Sequence, residues 1–143
     1  MPYRYLDEIA TADAAFEASG ASAEEVMTAS VDAMLNVMVE NIESVESKEQ
    51  RTIHCTASSY DMLLFDLLEE LIFLKDTELL FLRASNVRIG MRDHCYHLSA
   101  DAHGERIDSG RHEINVDVKA VTLYRLSFAQ ESDGWRATVV LDI

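Results

Sequence analysis

The sequence predicts an α+β fold, a largely antiparallel β-sheet system packed by two α-helices, in one domain spanning residues 1–143. Three observations carry this. Two segments before Glu78 show helical spacing of apolar residues, whereas from Glu78 onward no helical period appears and five strand-like runs follow. The 143 residues, 48% hydrophobic and 27% charged, suit one domain with one core. No linker, repeat or low-complexity tract divides them.

The elements follow in order. Tyr3 to Ile9 and Asp13 to Ser19 are short, aromatic-bearing and partly alternating, with Phe16 and Ala18 on one side of the second run, and read as two strands, the second ending at Gly20. Ser22-Ala23-Glu24-Glu25 has the spacing of a capping box and opens a helix predicted from about Ala23 to Glu40. Met27, Val31, Met34, Met38 and Ile42 recur at three and four and form a core-facing stripe, opposed by Glu25, Asp32 and Asn36, which are expected to meet water. Such a methionine stripe also has the makings of an adaptable binding groove, but a polar opposite face favours core packing.

Thr52 to Ala57 reads as a strand. Ser58 or Ser59 then caps a second helix whose body is Met62–Leu74, with ten of thirteen residues apolar, so that it is predicted to be buried on most sides. At 100° per residue Asp66, Glu69 and Glu70 form one narrow acidic seam on this apolar rod. The strand-like runs after it are Leu79–Met91, His94–Asp101, Arg111–Ala120, Val121–Ala129 and Trp135–Ile143, broken by Gly90, by an Ala102-His103-Gly104 turn and by a Ser132-Asp133-Gly134 turn. Asp133-Gly134 is a hairpin signal.

Charge narrows the partners. With 12 Lys and Arg against 26 Asp and Glu the net charge is −14, whereas grip on a phosphate backbone comes from excess Lys and Arg. Tight direct nucleic-acid binding is therefore disfavoured; cations, or a protein with a basic surface, fit better. No stretch approaches a membrane span, and Met1 to Leu6 is not followed by an apolar run of signal-peptide length, so the cytosol is the simplest address. Cys55 and Cys95 are too few for a disulfide framework and are expected as free thiols.

The common catalytic signatures are missing. Gly20, Gly90, Gly104, Gly110 and Gly134 are isolated, so neither a dinucleotide fingerprint nor a phosphate loop can be written, and neither G-x-S-x-G nor H-E-x-x-H occurs. His94-Cys95-Tyr96-His97, with His103 and His112 downstream, invites a zinc reading. On a strand, however, Cys95 and His97 share a face that His94 leaves, and no C-x-x-C pair completes a tetrahedron. Exposed strand histidines and a half-buried thiol are the plainer reading.

The carboxylates say more. The run Ala137-Thr138-Val139-Val140 leads into Leu141-Asp142-Ile143, where a strand ending in Asp and an α-carboxylate puts two anionic oxygen groups close together. Such a pair repels itself unless a cation or donors intervene. Oxygen-only ligands suit Ca²⁺ or Mg²⁺ rather than zinc. A third carboxylate would complete the site, and Asp13 and Asp66 are the candidates.

These residues resemble the archease family. Thr11-Ala12-Asp13 followed by Phe16, Gly20 and a capped helix is similar to its amino-terminal motif, and Leu63 to Leu74 to its buried helix. Gly104-Glu105-Arg106-Ile107-Asp108, Arg111-His112-Glu113, Val118-Lys119-Ala120-Val121-Thr122, Gly134-Trp135 and Leu141-Asp142-Ile143 follow in the family's order. The resemblance implies a non-catalytic partner of the RtcB-type RNA ligase, the GTP-dependent enzyme that seals tRNA halves after intron removal, helping it acquire guanylate and turn over repeatedly. It also implies a bound divalent cation, commonly calcium, with magnesium or manganese as the other candidates. The implied metal ligands are the Asp13 and Asp142 carboxylates and Ile143 through its backbone or terminal carboxylate. Asp66 and Lys119 match family motifs and are candidate functional residues; an ordinary ion pair is the other reading of Lys119, and a satisfied helix-surface acid that of Asp66. Many family members carry a His where this chain has Ala10.

Two rival functions remain open on the sequence. A stand-alone metal-dependent phosphoesterase would use Asp13, Asp66 and Asp142 to hold a cation that activates water. A chaperone-like module would use the methionine stripe.

Overall fold

In the computed structural model, which describes residues 2–7 and 13–143, the elements run β1 (Tyr3–Tyr5), β2 (Asp13–Gly20), α1 (Ala23–Met38), β3 (Glu49–Ala57), α2 (Tyr60–Glu78), β4 (Leu80–Arg92), β5 (Cys95–Arg106), β6 (Ala120–Val121), β7 (Ser127–Glu131) and β8 (Gly134–Asp142). A single turn of 3-10 helix, Ile42–Ser44, lies between α1 and β3. No helix among the described residues is long and apolar enough to cross a membrane. The antiparallel α+β architecture matches the class expected from the sequence.

Alternation builds the larger sheet. Phe16 and Ala18 on β2 are wholly buried, as are Ala137, Val139 and Leu141 on β8, because period-2 side chains alternate between faces. The two strands pair antiparallel along their whole length, from Asp13 opposite Asp142 to Gly20 opposite Trp135. The sheet order is β1-β2-β8-β6, with β7 also pairing with β8. The second sheet, β3-β5-β4, is antiparallel throughout.

Helix α1 starts where the capping box places it: the Glu25 amide donates to Ser22 Oγ at 3.2 Å and the Ser22 amide to Glu25 Oε2 at 3.2 Å. It ends at Met38, two residues before the sequence expectation, because Val39 turns extended and Asn36 Nδ2 donates to the Val39 and Glu40 carbonyls at 3.1 and 2.9 Å. Met27, Val31, Met34 and Met38 are core, as the stripe predicts, while Ile42 belongs to the 3-10 turn and is half-buried. The opposite face is drier than expected. Asp32 takes a two-pronged hydrogen bond from Arg83 Nε and Nη2 at 2.9 and 3.1 Å and is half-buried, so a charge expected in water instead fastens α1 to β4.

Helix α2 packs against both sheets and buries Leu63, Leu64, Leu67 and Leu68 completely. Its N-cap position is Ser59, but the Ser59 hydroxyl donates to Asp61 rather than capping an amide. Most buried apolar side chains of the two helices and two sheets form one cluster, and Leu6, Ala15 and Val140 form a small second one on the other face of the β2–β8 ladder.

The strands after α2 differ from the sequence expectation in four places. Gly90 interrupts nothing and sits inside β4, opposite His97. Ala102-His103-Gly104 is no turn: β5 runs straight through it, and a Cβ on Gly104 would stand 1.8 Å from the Phe81 carbonyl oxygen, so this glycine serves close strand approach. The true turn is Asp93-His94, both at positive φ (55° and 64°), between the paired Arg92 and Cys95; this is the geometry of a two-residue hairpin made without glycine. Arg111–Ala120 is not a strand. It is a loop touching the α1 end through a single bridge, Ile114 to Val39, and only Ala120–Val121 pairs with β8, so the run Val121–Ala129 divides into β6 and β7. The Asp133-Gly134 hairpin forms as expected, with Gly134 at φ 137°. Ile9, assigned to the first strand, and Ala10 lie outside the described residues.

Candidate functional site

Strand β8 carries the site because it is flanked on both sides at its last turn of ladder. Leu141 is wholly buried and anchors the strand, so Asp142 emerges exposed, with Asp13 of β2 directly opposite on one side and Ala120 of β6 opposite on the other. Residues directly opposite across an antiparallel ladder have Cβ atoms roughly 4.5–5.5 Å apart on one face of the sheet. Two carboxylates therefore meet there. Neither takes part in an ion pair among the described residues. Like charges set opposite one another destabilise a ladder, and an all-oxygen pair of this kind fits a hard divalent cation. Ile143 follows, half-buried and packed on the core.

Lys119 precedes β6. Its amide donates to the Asp142 carbonyl at 2.8 Å, and the Thr122 amide and hydroxyl donate to the Val140 carbonyl at 2.9 and 3.0 Å. The exposed Lys119 is thus tied through its backbone to the same strand end as the two carboxylates.

Asp66 is placed elsewhere. Among the described residues no three His, Cys, Asp or Glu side chains gather closely enough to hold a metal ion, so Asp13, Asp66 and Asp142 do not form one constellation. The acidic seam of α2 divides instead. Glu69 Oε2 accepts the Val121 amide at 2.8 Å. Asp66 is half-buried; burial, and then the nearby Glu69 charge, pushes its carboxyl above the usual carboxylate range. Burial first, then the charges of Asp66 and Glu70, pushes the Cys55 thiol up to about 11. Both cysteines are free.

The histidines stand in different settings. His94 sits in the turn, His97 Nδ1 meets Thr56 Oγ1 at 3.2 Å, and His112 is buried. The His112 environment went unread in the sequence. Its Nδ1 accepts the Asp108 amide at 3.0 Å, leaving Nε2–H to donate at 3.0 Å to the equally buried Glu105, which also accepts the Glu46 amide at 2.7 Å and pairs with Arg111. Glu105-Arg106-Ile107-Asp108 and Arg111-His112 are therefore a lock closing the loop after β5. The signal was present, since an Arg, a His and a Glu within eight residues of an acidic chain suggest a satisfied buried network.

Buried Lys75 was missed as well. It donates to Asp117 Oδ1 at 2.6 Å and Asp76 Oδ1 at 2.5 Å. Burial pulls its ammonium down, but the hydrogen bonds and charges of Asp117 and Asp76 outweigh this and leave it above its ordinary value. Sequence alone placed Lys75 past the end of the apolar helix body, where a cation suits the helix C-terminus.

The model of the Archease protein family matches residues 3–143. A protein archease of Methanothermobacter thermautotrophicus is 38% identical over 133 residues, covering 93% of this chain and 94% of that one. Among solved structures, the solution structure of Methanobacterium thermoautotrophicum protein 1598 is similar with a TM-score of 0.86 at 36% identity, covering 99% of each chain. A crystal structure of an archease from Thermotoga maritima, described as a possible chaperone, shares the fold with a TM-score of 0.61 at 20% identity, covering 94% of this chain and 93% of that one.

Proposed function

The chain belongs to the archease family, and we propose that it is a non-catalytic activator of an RtcB-type tRNA-splicing RNA ligase, presenting a cation-bearing acidic tip to that enzyme. The observation that carries this reading is the direct opposition of Asp13 and Asp142 at the end of the β2–β8 ladder. Asp13, Asp142 and the main-chain oxygens of Ile143 would hold the ion. A divalent cation there, calcium foremost and magnesium or manganese next, would offset the mutual repulsion of the carboxylates and offer positive charge to oxygen-rich groups such as nucleotide phosphates.

The chain's own residues do the rest. Leu141, wholly buried, fixes where the carboxylates emerge, and Lys119 is tied to the same strand end by its backbone. An acidic protein of net charge −14 complements a ligase whose active site must bind polyanions, and such complementarity raises association rates more than it raises affinity. No nucleotide cradle of the glycine-rich kind can be written in the sequence, so the covalent guanylate step belongs to the ligase.

The rivals fit less well. The phosphoesterase reading needs Asp66 beside Asp13 and Asp142, and these three do not gather. The chaperone-like reading needs an available methionine stripe, but Met27, Met34 and Met38 are core. The test is multiple-turnover ligation of broken tRNA by a cognate ligase with and without this protein, with Asp142→Asn as control. Faster turnover and guanylylation that vanish in the variant are expected; unchanged turnover refutes the proposal.

A further inference from the structure

Strand β6 is two residues long, too little ladder to hold itself in place, yet it and its neighbour Lys119 flank the Asp142 end of β8. What holds it is α2. As the outer strand of its sheet, β6 turns the Val121 amide away from β8, and Glu69 Oε2 accepts it at 2.8 Å. Six residues further along the helix, Lys75, 4% exposed, reaches the other side of the segment and donates to Asp117 Oδ1 at 2.6 Å. Between the two grips Val118 is wholly buried, and Lys119 stands exposed with its amide on the Asp142 carbonyl.

Residues 69, 72 and 75 share one helix face, and Ile72 between the two grips is core. Holding an ammonium at 4% exposure costs free energy unless it is well paired. Core packing alone does not call for a cation there. It is explained if the position of the Asp117–Val121 segment matters.

We propose that Glu69 and Lys75 are positioning residues, a two-point clamp by which α2 holds the Lys119 main chain on the end of β8 that presents Asp142 opposite Asp13. The proposal rests on the cation-bearing tip argued above. It assigns the polar residues of a buried helix to the geometry of a site they do not touch, as outer partners orient the ligands of metal centres.

Amide hydrogen exchange and calcium titration of the full chain test it. Glu69→Leu is expected to speed exchange at Lys119 and Val121 by about tenfold or more while the amides from Val139 to Leu141 stay protected, and to weaken calcium binding about tenfold. Glu69→Gln, which keeps an acceptor for the Val121 amide, should restore both. Lys75→Met releases the segment from its other end and decides the matter should Glu69→Leu fail to fold. Wild-type calcium affinity in a variant whose Lys119 amide has been released overturns the clamp, and so does unaltered exchange at Lys119 in both variants. A wild-type chain that does not bind calcium counts against the proposed function, while the exchange comparison still decides the clamp.

Discussion

His112 and Glu105 are joined by a hydrogen bond of 3.0 Å in which both side chains are almost wholly excluded from water. Burial, and next the Arg111 charge, lowers the His112 pKa from its ordinary value of 6.5. Between that lowered value and 6.5 the unfolded chain binds the extra proton and the folded one does not. Stability is therefore complete above about pH 6.5 and falls as the pH drops through this window. Urea midpoints measured from pH 8 to 5 should show the decline. His112→Phe should flatten it and, by removing a partner of buried Glu105, cost about 1–3 kcal/mol at pH 8. An identical slope in the variant would assign the decline to other groups.

The opposition of Asp13 and Asp142 has a signature that reverses with cation. In chelator, Asp142→Asn should raise stability by about 0.2–1 kcal/mol, the cost of like charges across a ladder. With calcium at a hundred times its dissociation constant the wild type should gain about 2.7 kcal/mol and the variant little. Thermal melts with and without calcium check both arms, and a wild-type transition indifferent to calcium would count against a cation at this tip.

Gly104 is required by the backbone, since an added Cβ would stand 1.8 Å from the Phe81 carbonyl oxygen. Gly104→Ala should force β4 and β5 apart and cost about 3 kcal/mol or more. Gly90, with nothing within 4 Å of its Cβ position, is the control: Gly90→Ala should be neutral or stabilising by about 0.5 kcal/mol. Equal costs at the two sites would show that strand glycines here matter only for chain entropy.

Asp66 runs opposite in sign to His112. Its carboxyl titrates above the usual value of 3.8, through burial and then Glu69, so the folded chain binds the proton more readily and stability is lost as pH rises through that window. Asp66→Asn should raise the melting temperature at pH 7 and leave it nearly unchanged at pH 3. A fall at pH 7 would mean that the ionised carboxylate is satisfied by partners in the fold.

Several elements could be read residue by residue because their causes are local. The Ser22–Glu25 box, the Met27 to Met38 stripe, the apolar body of α2 and the Asp133-Gly134 hairpin each depend on neighbours within one turn or one ladder step. The misreadings have distant causes. Gly104 resembles a turn residue until Phe81 is brought alongside it, and Asp93-His94 makes a tight hairpin without the glycine that usually announces one. Arg111 to Ala120 alternates like a strand but finds no long partner, and pairing is what makes a strand.

For the site the division is similar. Sequence by itself determined the family resemblance, the pool of oxygen ligands and the lack of a glycine-rich nucleotide-binding motif. Only the tertiary structure decided which carboxylates meet. Asp13 and Asp142 are 129 positions apart and face each other because β2 and β8 pair along their whole length in one register. Asp66, in the same pool, is carried on α2 to stand beside Glu69 and Cys55. Composition and spacing constrain what a side chain can bind; register and helix packing, set by burial of Phe16, Val139 and Leu141, determine what it can reach.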